Sequence, residues 1–242
     1  MSPFLSLCEV LIRTGSGVIS TVRLSKTPAF DPRNDLLPVA YVADSPVAMS
    51  IPKTSPCKSF DNFVQLARNN PGKLKGGFSV VGGESHIMFL SIVRDIKIDT
   101  KSIPYVGTGQ LHTAVLGRHL DWATASLSSV MPNARSEDMR ILLLTRRSAD
   151  LPCVPSGGDV GLPKVSFNMW MGFFLLPPTP RPIYDRLVSA VSAVAKDPDV
   201  AKKLTSARFN IAYKNAQDFS TLINEQWDIF GRVIKEADLK VD

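Results

Sequence analysis

Apolar positions along the chain follow two rhythms. Short runs rich in β-branched and aromatic residues read as strands at Val39–Ala43, Val47–Ile51, Phe78–Val80, Ile103–Val106, Leu120–Ala125, Ile141–Leu144, Met171–Leu176 and Phe209–Tyr213. Between them, apolar residues recur three and four positions apart. Phe60, Phe63, Val64 and Ala67 share one face of a helix predicted over Ser59–Asn69. Ser59 is placed to cap it, and Asn70-Pro71-Gly72 to stop it. Further helices are predicted from about Ser85 to Arg94 and from Gly107-Thr108-Gly109 to about Leu116. In the last third, Ile183, Leu187, Ala190, Val191 and Val194 line one helix face, with Pro182 near its first turn and Asp197-Pro198 at its end. A short helix over Asp199–Ser206 and a long one after Asn215 complete the pattern; Phe219, Ile223, Phe230 and Val233 belong to the inner face of the latter. Asp44-Ser45-Pro46 breaks two strands apart, and Arg146–Pro163 reads as a long surface connection. The alternation predicts an α/β architecture with largely parallel strands and no internal repeat.

Composition narrows the function classes. The chain has 242 residues, 44% hydrophobic and 21% charged, enough for one large domain or two small lobes. The longest apolar stretch, Met169–Leu176, ends at Pro177-Pro178, well short of the roughly 18 residues of a membrane span. The net charge of +6 is spread along the chain, and its densest runs are Arg146-Arg147 and Lys202-Lys203. No basic stripe interleaves with aromatics, so no nucleic-acid partner is expected. Cys8, Cys57 and Cys153 show no CxxC or zinc-ligand spacing, and no metal site is expected. Met1–Ile12 has no basic start and is interrupted by Glu9, so it does not read as a secretory signal. A cytoplasmic location is expected if this is the complete product.

Candidate chemistry is sparse. Ser16 lies in Thr14-Gly15-Ser16-Gly17, which is not a nucleophile elbow, and His86, His112 and His119 form no recognisable triad. No enzyme is expected. Neither a P-loop nor GxGxxG occurs, and no cofactor is expected. One design does repeat. Phe78–Val80 runs into Gly82-Gly83-Glu84-Ser85, and Ile103–Val106 into Gly107-Thr108-Gly109. In each, a strand enters a small-residue loop that opens a helix. Glycines let backbone N–H groups approach a ligand, and a helix N-terminus favours an anion. The alternative is that both are simply tight strand-to-helix turns.

Several segments resemble the substrate-binding receptors of tripartite tricarboxylate transporters, the Bug family. Phe30–Ala40 is similar to the family's "YDP-x-KDF-x-PVA", and Ser59–Leu74 to its "L-x-x-LA-x-x-NPGKL". Gly77–His86 resembles "GSSGNGTSSH", and Ile103–Gly107 resembles "VPYKG". Arg118–Asp121, Leu151–Pro155, Gly161–Pro163 and Trp170–Phe173 follow "GG-x-VD", "LPDVPT", "AGLP" and "WFGL" in order. The resemblance implies a two-lobed clamshell of the periplasmic-binding-protein type (type II). Residues 1–49 and 172–242 would form the first lobe, and 50–171 the second. It implies periplasmic capture of a small carboxylate and delivery to the membrane components of a tripartite transporter. Carried over, the ligand-binding residues are Ser79, Gly82, Gly83, Ser85 and His86 in one loop and Gly107, Thr108 and Gly109 in the other. Ser16 and Ser126 are further ligand-binding candidates, expected at strand ends facing the cleft.

The departures carry expectations too. The chain starts where the family has its third strand, roughly Val10–Thr14, so the first lobe is expected to be incomplete and the chain alone poorly stable or self-associating. Loss of ligand binding is a further expectation of such a truncation. Glu84 stands at a position of small hydroxyl residues in the family, and Val81 at a polar or glycine one. A cytoplasmic small-molecule sensor is the alternative reading.

Overall fold

A computed structural model describes residues 11–206, 209–237 and 239; Cys8 and Val10 lie outside them. The chain runs β1 (Ile12–Gly15), α1 (Gly17–Leu24), β2 (Leu37–Ser45), β3 (Val47–Pro52), α2 (Phe60–Asn69), β4 (Lys75–Ser79) and α3 (Glu84–Asp95). It continues β5 (Lys101–Tyr105), α4 (Thr108–Leu116), β6 (Trp122–Ser126), α5 (Leu127–Arg135) and β7 (Met139–Leu144). Two 3-10 turns, Gly157–Val160 and Pro163–Val165, precede β8 (Met169–Leu175), α6 (Arg181–Ala195), α7 (Pro198–Ser206), β9 (Asn210–Lys214) and α8 (Ala216–Glu236).

Two sheets result. One has the order β1-β8-β2-β9, the other β5-β4-β6-β3-β7. The chain passes from the first to the second at Pro46 and returns in the connection from β7 to β8. The expectation of largely parallel strands is corrected here. Only β4 pairs in parallel, with β5 and β6; every other named pairing is antiparallel. The local rhythm nevertheless holds. β1 and β2 share a direction, as do β6 and β7, as strand–helix–strand steps require. In each sheet a strand arriving from the other one, β8 or β3, inserts between such a pair and opposes both.

Local chemistry explains most elements. Ser59 Oγ accepts the Asn62 N–H at 3.2 Å and caps α2, and Asn215 caps α8 in the same way, accepting the Asp218 N–H at 2.9 Å. β4 begins three residues earlier than predicted and takes in Gly76 and Gly77, residues of low strand propensity. In the fold they are needed where they stand. A Cβ on Gly76 would lie 2.4 Å from the Trp122 ring and 2.5 Å from Phe89. Those two rings stack at 4.4 Å, and Phe63 joins them 5.3 Å from Trp122. A second aromatic group holds the other sheet against α8: Phe219 packs on Trp170, Phe174 and Tyr41 at 4.8, 5.0 and 5.8 Å.

The sequence pattern did not predict α1 or α5. α1 has only eight residues, and α5 contains Pro132. Arg146–Pro163 is more than a surface connection: Leu162 is buried, and Ser156 and Asp159 form a reciprocal cap for the first 3-10 turn. Cys57 is buried and Cys153 exposed, and both are free thiols. Among the described residues, no helix is long and apolar enough to cross a membrane and no cluster of three or more metal-ligating side chains occurs.

Candidate functional site

Four helices begin at one place. β1 turns at Ser16 into α1, β4 leads through 80–83 into α3, β5 leads through 106–107 into α4, and β6 passes through Ser126 into α5. Residues at these four starts line a common cleft of about 270 Å³. Gly17, Ser20, Thr21 and Met169 come from elements of the first sheet. Ser79, Gly83, Glu84, Ser85, Thr108 and Ser126 come from the second, together with the exposed Val80. The first four N–H groups of a helix have no partner within it, and that end carries partial positive charge. Helix starts that converge in this way favour an anion on electrostatic grounds, and no Lys, Arg or His is among the described residues lining the cleft.

The loop after β4 is the most elaborate part. Val80 (φ +58°) and Gly82 (φ +79°) both take left-handed backbone, which folds the loop tightly enough for the Gly83 N–H to reach the Val80 carbonyl at 3.0 Å. A Cβ on Gly82 would fall 2.0 Å from Leu24 Cδ1, so the turn packs directly against the end of α1. Ser79 is buried at the end of β4, its Oγ 3.2 Å from Ser85 Oγ, and Ser85 Oγ donates to the Ser79 carbonyl at 2.5 Å. Thr124 braces the same turn by donating to the Ser85 carbonyl at 2.8 Å.

His86 stands behind this loop and does not line the cleft. Its ring stacks on Phe78 at 3.9 Å, and its Nδ1 accepts the Gly82 N–H at 3.0 Å. Burial pushes its pKa down to about 4, so at neutral pH it is an uncharged support for the turn. Gly82 is likewise absent from the lining, its N–H already engaged by His86.

In the second loop Gly107 caps α4, and Thr108, the first residue of that helix, faces the cleft. A Cβ on Gly107 or Gly109 would meet nothing within 4 Å, so neither glycine is required by packing. Ser126 is half-buried, and its hydroxyl accepts from Ser128 Oγ at 3.2 Å. Ser16 is fully buried behind the lining; its hydroxyl accepts the Trp170 N–H at 3.1 Å and donates to Glu84 Oε1 in a short bond. That bond joins the start of α1 to the start of α3.

Six lining residues stand outside the expected ligand-binding set: Gly17, Ser20, Thr21, Val80, Glu84 and Met169. The first three lie on α1, which went unread. A Ser-Gly pair followed by the period-three apolar positions Ile19 and Val22 was the available signal.

The chain as a whole resolves the family. The model of the tripartite tricarboxylate transporter family receptor matches residues 15–239. The chain belongs to this family. Members are solute-binding receptors rather than enzymes. One curated relative, a UPF0065 protein of Bordetella pertussis, is 24% identical over 96% of this chain and 72% of its own length. Among solved structures, one described as a periplasmic transporter superposes with a TM-score of 0.82 at 26% identity, covering 96% of this chain and 79% of its own. MatC from Rhodopseudomonas palustris with bound malate gives 0.77 at 25% identity over 93% of this chain and 78% of that one. The periplasmic binding protein BugD shares the fold at 20% identity, with a TM-score of 0.80 over 95% of this chain and 78% of its own. The receptor therefore has the periplasmic-binding-protein fold.

Proposed function

We propose that this receptor captures a small carboxylate outside the cytoplasm and delivers it to the membrane components of a tripartite transporter. The observation that carries the reading is the convergence of four helix N-termini on one cleft. Backbone N–H groups with neighbouring hydroxyls, such as those of Thr108 and Ser126, suit an oxyanion and can hold it directly or through water. MatC, whose structure contains malate, supports the ligand class. In this reading the two sheets are the two lobes. They hinge where the chain changes sheet, at Pro46 and in the segment before Met169, and a bound acid favours the closed form.

Thermal unfolding in the presence of mono-, di- and tricarboxylates tests the reading. A specific ligand at one hundred times its dissociation constant stabilises by about 2.7 kcal/mol, a rise of several degrees. Thr108→Glu should abolish the shift. It places a carboxylate in the first turn of α4, which the helix tolerates but an anionic ligand does not. If no acid shifts the transition, or the variant keeps the full shift, the reading fails.

A further inference from the structure

One carboxylate is already in the cradle. Glu84 is the first residue of α3, is buried, and lines the cleft. Its Oε1 accepts the Ser16 hydroxyl. A Cβ built on Gly17 would lie 3.8 and 3.9 Å from its two oxygens, so the group also abuts the first residue of α1. Two of the four helix N-termini thus face a carboxylate that belongs to the chain itself. It is the only charged side chain among the described residues lining the cleft, and no cation there offsets it.

We propose that Glu84 determines specificity, rejecting a second ligand carboxylate at the α1–α3 end and receiving a cationic or hydrogen-bond-donating group instead. The ligand class that follows is a small amino-monocarboxylate. Its carboxylate lies at the starts of α4 and α5, beside Thr108 and Ser126, where no acidic side chain lines the cleft. Its ammonium faces Glu84. A carboxylate offers about four acceptor sites, and the single Ser16 bond leaves capacity for such a donor. A dicarboxylate of the same length would bring like charges together in a partly dehydrated site, which disfavours it strongly.

This inference rests on the carboxylate-receptor reading, and the test separates the two. Succinate and β-alanine have similar length and differ in carrying a carboxylate or an ammonium at the second end. Titration calorimetry on the wild-type chain should show β-alanine bound at least tenfold more tightly than succinate. Glu84→Gln keeps the size and an acceptor for Ser16 but removes the charge. It should reverse the preference, with succinate gaining tenfold or more while β-alanine loses. A residue that only braced the two helices would weaken both ligands alike and leave their ratio unchanged. Equal affinities in the wild type, or a ratio that Glu84→Gln leaves unchanged, overturns the role of Glu84 while the receptor reading stands. Binding of neither compound overturns the amino-monocarboxylate assignment, and the wider acid panel then decides the receptor reading.

Discussion

Gly82→Ala probes the contact that joins α1 to the loop opening α3. Two costs add at this position. The backbone is left-handed, at φ +79°, and an alanine there costs about 1–2 kcal/mol from the clash of Cβ with the backbone. The new Cβ would also lie 2.0 Å from Leu24 Cδ1, where real side chains do not approach. Leu24 is buried and can yield only by leaving a preferred rotamer or shifting α1, a further cost of about 1–3 kcal/mol. The sum is about 2–5 kcal/mol. Gly161→Ala is the control: its φ is +75°, but a Cβ there meets nothing within 4 Å, so only the backbone cost of about 1–2 kcal/mol applies. Urea unfolding of both variants, followed by circular dichroism, measures the difference. Gly82→Ala should lower the midpoint more than Gly161→Ala with an unchanged slope. In the double variant Gly82→Ala with Leu24→Ala, part of the steric loss should return, giving a favourable coupling. If Gly82→Ala costs no more than Gly161→Ala, the packing of α1 on this loop is wrong.

The other predictions concern nearby groups. His86 has a folded-state pKa of about 4 against an ordinary 6.5, so the unfolded chain binds more protons between those values. Its contribution is fully present above pH 6.5 and is lost as the pH falls toward 4, by at most about 3 kcal/mol. Replacing it by Gln should flatten the stability profile in that window; an unchanged slope would count against a buried neutral imidazole. Val80 is a β-branched residue at φ +58°, and Val80→Gly should raise the unfolding midpoint by a net gain of up to about 1 kcal/mol, whereas a loss would show that its side chain contributes packing. Tyr41 donates its hydroxyl to the buried Asp44, whose other oxygen accepts from Asn210 Nδ2 at 3.2 Å. Tyr41→Phe should cost about 1–3 kcal/mol by leaving that carboxylate short of a donor, and a neutral result would mean water replaces it.

How far the sequence reached follows from the range of each signal. Helix α2 was legible because its cap, its apolar face and its stop lie within a dozen adjacent residues. The start and inner face of the long α8 were legible from signals of the same local kind, as were the two strand–loop–helix steps that supply Ser79, Ser85 and Thr108. The strand directions were not legible. β8 pairs with β1 across more than 150 residues of chain, and nothing local to Met169–Leu175 records that partner or its direction. The start of β4 at Lys75 was not legible either, because the place of Gly76 is set by Trp122 and Phe89, which approach it only in the folded molecule.

The site divides in the same way. By itself the sequence determined the α/β class, the membership implied by motifs in order, and two small-residue loops suited to an anion. Only the tertiary structure decided that four helix starts share one cleft and that His86 stands behind the lining. It alone brought Ser16 to Glu84, 68 residues apart in the chain, to close one end of the cradle. The reason is physical: helix and turn formation depend on neighbours in sequence, whereas the charge of a cleft depends on which distant groups the packing brings together.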